Sequence, residues 1–468
     1  MGSLAARVRR ATAAAAGAVD RLITAERLTL YPLTFLVMGA VILGATILIG
    51  DYPHIAGGEI VLPDFLAHWT GGRMLLDGDT AHLYDPATQL LVQSGEVGRG
   101  TLSWFVSPPF AAALYAPFAS LGYGVAAIAW TAFSLACLVA AAVLVRPFAP
   151  RLFRDHPGGV FLVLASTQPV FELLGSGQDS GVSVLLWVAG LRLLLAGRDV
   201  SGGVVLALGL FKPQLFFVVP FVLAAQRRWR ALGAWAATAA GLGLVSVGLV
   251  GIDGVADWLR VPFSDTFHAA VQVDQSWKMQ SLPALSTTMG LWSWVATLVA
   301  FVAVLVLLRQ LWRARAAGVE ELQMWMLALM ATMVASPHLV IYDLVVALVP
   351  LVWLVDRVNT RTVRLACLTL FVLTWTVPIR HLVGGPVDAA WSAIPLVILW
   401  YVMARTMLGD RHRVATAPSP PPALTARLVT VPPPRRAAAV NASSRTRVTA
   451  SSGRPVTRAS RRCPSERR

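Results

Sequence analysis

Long apolar runs separated by short polar breaks dominate the chain from Leu28 onward. A helix crossing about 30 Å of hydrocarbon needs about 20 apolar residues. The runs at 28–50, 122–145, 158–174, 181–197, 200–226, 230–252, 291–312, 322–337, 339–355, 363–379 and 390–408 are therefore read as spans. The run 200–226 is broken at Lys212-Pro213 and flanked by Arg198 and Arg227-Arg228, so it reads as a hairpin of two short helices. That brings the count to about twelve. The first run is too long for the core of a cleavable signal and has no A-x-A site behind it, so it reads as a signal anchor. The stretch 109–119 is too short to span and is expected in the interface.

Composition agrees with the pattern. The 468 residues are 56% hydrophobic and 13% charged, whereas a soluble domain is about 25% charged. A soluble enzyme, a disordered protein and a nucleic-acid-binding domain are excluded. The expected fold class is all-α, a polytopic membrane bundle with structured outer loops. Cys137, Cys367 and Cys463 form no CxxC pair and suggest neither a bridge nor a metal site.

The net charge of +15 belongs to the ends. Residues 409–468 carry thirteen arginines against Asp410 and Glu466, and residues 1–27 carry five against Asp20 and Glu26, which leaves +1 for 28–408. Three regions follow: a basic N-terminal segment (1–27), a membrane domain (28–408) and a proline- and arginine-rich tail (409–468) expected to be disordered. Arginines such as Arg146, Arg151, Arg154, Arg309, Arg313, Arg357 and Arg361 crowd one set of loops. By the positive-inside rule that set is cytoplasmic, as are both termini. The two long loops, 51–108 and 253–290, then face outward. The first carries seven acids against Arg73 and Arg99. The short inner loops leave no room for a nucleotide-binding domain, so any active face looks outward.

Candidate chemistry lies at the outer breaks. Asp64 opens a helical pattern in which Phe65, Trp69 and Met74–Leu76 share a face; it reads either as a first-turn aspartate or as a general base at the membrane–water boundary. Gly177-Gln178-Asp179 is a tight turn, either two helix caps or a close-approach site with Gln178 as hydrogen-bonding group. Lys212 at a helix break needs a partner or water; either a lipid phosphate is its simplest partner, or its side chain snorkels to the outer interface. Ser336-Pro337-His338 and Tyr342-Asp343 sit together at another break, with Asp343 alternatively capping the following span. The sequence has no GxSxG, HExxH, Walker A or dinucleotide fingerprint, and His54, His68, His82 and His268 are too scattered for a metal cage. Chemistry without a metal or cofactor is expected.

Taken in order, Asp64, Gly78 with Tyr84, Ser107-Pro108-Pro109, Gly177-Gln178, Phe211-Lys212-Pro213-Gln214, Arg227-Arg228-Trp229 and Ser336-Pro337-His338 with Tyr342-Asp343 resemble glycosyltransferase family 87, of the GT-C superfold. That family includes polyprenol-phosphate-mannose-dependent mannosyltransferases. The resemblance covers about residues 28–408. It implies a GT-C-like inner-membrane enzyme of the bacterial cell envelope, with its active site on the periplasmic side. Such an enzyme takes a sugar, mannose first, from a polyprenyl-phosphate donor and passes it to a lipid or glycan acceptor with inversion. Asp64 matches the catalytic base. Lys212, and more weakly His338, match groups for the donor phosphate; His338 would otherwise contact the acceptor or pair with Asp64. Arg73, Gln178, Tyr342 and Asp343 are further candidates. The alternative is a transporter or flippase of a lipid or sugar, with Lys212 at a midplane site. No second charged break mirrors Lys212, and the acidic outer loop has no transport rationale.

Overall fold

Proline sets the grain of this fold. Pro63, Pro86, Pro109, Pro157 and Pro213 each occupy the first position of a helix, where the missing N–H costs nothing and the fixed φ suits the first turn. The computed structural model describes residues 25–98, 102–358 and 360–415. Its principal helices are α1 (Ala25–Ile49), α2 (Pro63–Leu76), α3 (Pro86–Val97), α4 (Pro109–Ala119), α5 (Tyr123–Leu144), α6 (Pro157–Ala165), α7 (Gln168–Ser176) and α8 (Ser180–Leu195). There follow α9 (Asp199–Phe211), α10 (Pro213–Ala225), α11 (Trp229–Arg260), α12 (Ser293–Ala316), α13 (Glu321–Ala335), α14 (Leu348–Arg357), α15 (Arg361–Trp375), α16 (Val377–Val383) and α17 (Ala393–Ala415). Extended structure among the described residues amounts to two isolated bridges, His54–Ile60 and Met279–Val340.

The chain is an all-α membrane protein. Among the described residues, α1, α5, α11 and α12 are able by length and composition to cross a bilayer, and the bent pairs α6–α7 (53°) and α15–α16 (55°) raise the number from 4 to 6. The apolar runs expected to add further spans are helices of 10–17 residues, among them α8, α9, α10 and α13. At about 1.5 Å per residue these fall short of the hydrocarbon thickness. The expected break at Lys212 is present, and so is the short helix α4. The last helix runs past 408 to Ala415; the rest of the tail and residues 1–24 lie outside the described residues.

Packing separates two regions. In α13, Leu322 and every residue from Met324 to Ala335 are buried, an all-round apolar surface that suits a central helix. It shares its core with α8 and α14 through Trp187, Trp325 and Trp353. A second core gathers Phe65, Trp69, Tyr84, Phe105, Tyr115, Tyr123 and Trp130 from α2, the first outer loop, α4 and α5. The described part of the long loop 51–108 is therefore structured, and side chains staple it. Tyr84 donates to the Ser107 carbonyl (2.8 Å), while Gln89 and Gln93 bond the backbone of Phe105 and Ser103. By contrast α1, α11 and α12 leave rows of Leu, Val and Ile exposed, as lipid-facing helices do.

Helices α9 and α11 meet at a glycine. A Cβ on Gly203 would lie 2.2 Å from the carbonyl oxygen of Ala231 and 3.1 Å from the Trp235 nitrogen. Both are backbone atoms, so neither helix relieves the overlap without moving, and small residues at such crossings let backbones approach. Gly203→Ala is expected to destabilise the protein by about 1–3 kcal/mol, read as a lowered melting temperature in detergent; an unchanged value would show that the crossing yields.

Candidate active site

Two turns and one helix break converge on the start of α2. Leu62 adopts left-handed backbone (φ 52°, ψ 59°), a costly conformation for a branched side chain. Tyr123 stabilises it by donating to the carbonyls of Val61 and Leu62, each at 2.7 Å. Pro63 then starts α2 and places Asp64 in its first turn. The Asp64 carboxylate makes no capping bond to its helix. Its Oδ2 accepts instead from Nε2 of Gln178, 2.9 Å away and 114 residues later in sequence.

Gln178 is presented by the α7–α8 turn. Gly177 ends α7 with φ 78°, a conformation natural to glycine. Any Cβ there would also lie 2.6 Å from Phe65 Cβ and 2.8 Å from Leu62 Cβ. The turn thus docks flush on α2, and Trp130 fixes it further by donating to the Gly177 carbonyl at 2.7 Å. The cap reading of this turn holds for Gly177. Asp179 stands at the N-cap position of α8, but its side chain does not cap.

Lys212 occupies the break between α9 and α10. Pro213 disfavours helical backbone in the residue before it, and Lys212 has φ −122° and ψ 74°. Its side chain is buried rather than snorkelling to an interface. Protein carboxylates are its partners: Nζ lies 2.7 Å from Asp179 Oδ1 and 2.8 Å from Asp343 Oδ1. It also donates to Ser180 Oγ (2.8 Å) and Gln178 Oε1 (3.3 Å), and it sits 4.8 Å from the centre of the Tyr342 ring. Ser180 donates to Asp343 Oδ1 and Tyr115 donates to Asp179 Oδ2, each at 2.5 Å. Because the ammonium group has only donors, it fixes the polarity of the Gln178 amide: Oε1 faces Lys212 and Nε2 faces Asp64. A buried charge bonded in this way answers its desolvation cost. Asp64, Asp179 and Asp343 set against Lys212 leave the cluster with a formal charge of −2.

Most of the residues singled out in the sequence meet here. Tyr342 lies within electrostatic reach of Asp64, Asp343, Asp179 and Glu172. His338 is partly buried, within reach of Lys212 and Asp343, with its ring 6.3 Å from that of Phe267. No hydrogen bond or ion pair joins it to Asp64 among the described residues. Asp343 lies inside the turn Ile341–Val345 and caps no helix. Arg73 is elsewhere. Nine residues after Asp64, about two and a half helical turns, it points from the other side of α2 and pairs with Asp77 at 2.8 Å.

The second long loop, 253–290, packs against the same region. Phe267 reaches Trp104 of the first loop (6.4 Å) as well as His338. Met279 bridges to Val340, the Gln280 N–H donates to the Leu339 carbonyl (2.9 Å), and Lys278 pairs with Glu172 on α7 at 3.2 Å. The sequence did not single out Ser180 or Tyr115; it offered Asp179 only as part of a turn and His68 only among scattered histidines. Asp179 was open to inference, because a lysine among apolar helices calls for nearby acids. No sequence signal marked Tyr115, a phenol in an apolar helix. Among the described residues, no group of three or more His, Cys, Asp or Glu side chains is placed to hold a metal ion.

Residues 105–337 match the model of glycosyltransferase family 87. No curated protein and no solved structure matches the chain. The matched stretch contains Gln178, Asp179 and Lys212, stops one residue before His338, and begins beyond Asp64.

Proposed function

From this membership of glycosyltransferase family 87 over residues 105–337, which makes the chain a membrane glycosyltransferase with a sugar donor and an acceptor, we propose a specific reaction. The enzyme moves a hexose, mannose first, from a polyprenyl-phosphate carrier to a lipid or glycan acceptor on the outer face of the bacterial inner membrane. Asp64 removes the proton from the acceptor hydroxyl. The oxygen attacks the anomeric carbon, the bond from that carbon to the phosphate oxygen breaks, and polyprenyl phosphate departs with inversion at the sugar.

One observation carries this reading. Gln178 holds Oδ2 of a partly buried Asp64, while Oδ1 has no hydrogen-bond partner among the described residues. A carboxylate fixed by one oxygen and open at the other suits a general base, whose geometry must be set before its proton arrives. The donor phosphate belongs on the Lys212–His338 side. The Lys212 ammonium already faces Asp179, Asp343 and Ser180, so a phosphate contacts it directly only by displacing one of them. With its partners in place, Lys212 offsets the repulsion that buried acids exert on an incoming anion. His338, which makes no side-chain hydrogen bond among the described residues, is then the more accessible contact.

The test is transfer of radiolabelled mannose from polyprenyl-phosphate mannose by the purified, reconstituted protein, supplied with total lipid from the source cells. Label moving to a new lipid or glycan supports the donor and reaction class. Failure with mannose and with a panel of other polyprenyl-phosphate hexoses would overturn the donor class. Gln178→Leu tests the orientation of the base. It removes a hydrogen bond to a charged group, worth about 1.5–3 kcal/mol, but leaves Lys212 with both carboxylates. We expect kcat to fall by about 10–100-fold with KM little changed; retention of full kcat would separate Gln178 from the reaction.

A further inference from the structure

His68 lies one helical turn after Asp64 on α2, so the two side chains share a face. Its side chain is only 9% exposed. The imidazole stacks on Tyr115, with ring centres 4.5 Å apart and planes 15° apart. Among the described residues, neither Nδ1 nor Nε2 has a partner at full hydrogen-bond geometry. The nearest acid, Asp179 Oδ2, is 3.9 Å from Nε2, beyond hydrogen-bond length. The Gln178 side chain approaches the ring as a weak hydrogen-bonding neighbour, and Asp64 and Lys212 lie within electrostatic reach. Burial pushes the His68 imidazole down in basicity, and Asp179 opposes that only in part. A neutral imidazole offers one donor and one acceptor. Buried polar atoms are nearly always paired, and an imidazole with no well-formed bond at either nitrogen beside the proposed base is the arrangement expected where a ligand supplies the partner.

We propose that His68 is a substrate-binding residue that hydrogen-bonds a sugar hydroxyl next to the one on which Asp64 acts. A hydroxyl both donates and accepts, which matches the two functions of the ring. The proposal rests on the reading of Asp64 as the general base. The hydroxyl belongs either to the transferred hexose or to the acceptor, and separate titration of each substrate tells which.

His68→Phe keeps the stack on Tyr115 and removes both nitrogens, whereas His68→Gln restores a donor and an acceptor. Transfer is measured with whichever of polyprenyl-phosphate mannose, glucose or galactose supports activity in the parent protein. Melting temperature in detergent is recorded for each variant. For His68→Phe we expect kcat/KM at least tenfold lower, with KM raised for one substrate and not the other, and a melting temperature unchanged or higher. His68→Gln should recover part of the loss. A fall in the melting temperature of His68→Phe would overturn the proposal, because it would show that the nitrogens serve the fold; this arm decides even without an active donor. Retention of activity within threefold would overturn it equally. Asp64→Asn in the same assay reports on the parent reading alone: full transfer by that variant, with loss in His68→Phe, removes the base assignment and leaves His68 as a ligand.

Discussion

Asp64→Asn is expected to lower kcat for sugar transfer by about 10²–10⁴-fold, equivalent to about 3–5 kcal/mol on the barrier, with little change in stability. The substitution keeps the shape of the side chain and an oxygen able to accept from Gln178 Nε2, so the turn and α2 stay docked. What disappears is the capacity to take a proton. The Asp64 carboxylate bonds Gln178 on another element, and its interaction with the dipole of its own helix amounts to about 0.3–1 kcal/mol. A normal melting temperature with activity nearly abolished is therefore the predicted pair of results. Transfer within about threefold of the parent protein would remove Asp64 as the base.

Lys212→Met carries the largest expected effect on stability. Asp179 and Asp343 are 0% and 1% exposed, and both face the same ammonium. Removing one partner of a buried ionic group leaves uncompensated charge and typically costs about 3–5 kcal/mol. The melting temperature should fall accordingly, with donor use lost as well. Adding Asp179→Asn and Asp343→Asn should restore part of the stability but not the activity. If Lys212→Met melts normally and only its donor affinity is lowered, the lysine serves the phosphate and the carboxylates are held by other means.

These two residues show how much of the site was legible in the sequence. Asp64, Gln178, Lys212, His338, Tyr342 and Asp343 stood out because polar or charged groups at breaks between apolar runs are expensive without a purpose. The structure gathers them around one lysine. The partners of Lys212 were harder to read. A phosphate seemed the simplest because no acid stands near Lys212 in sequence, whereas Asp179 and Asp343 reach it across 33 and 131 residues. Local pattern carries no information about contacts of that separation. Arg73 illustrates the opposite failure: it sits in the right loop, but helical periodicity turns it away from Asp64 toward Asp77. The helical character of the fold was plain from composition. Span lengths were not, since proline-opened breaks such as those before α7 and α10 shorten helices in ways that hydropathy averages over.

The α7–α8 turn also sets what lengths of chain this region tolerates. Gln178, Asp179 and Ser180 are consecutive, and besides their shared contact with Lys212 they reach three different elements: Gln178 reaches Asp64 on α2, Asp179 reaches Tyr115 on α4, and Ser180 reaches Asp343. One residue inserted after Gly177 would swing these directions by about 100° for each helical step, and all of the connections would fail together. Homologous enzymes that keep this site should therefore hold the length of this turn constant.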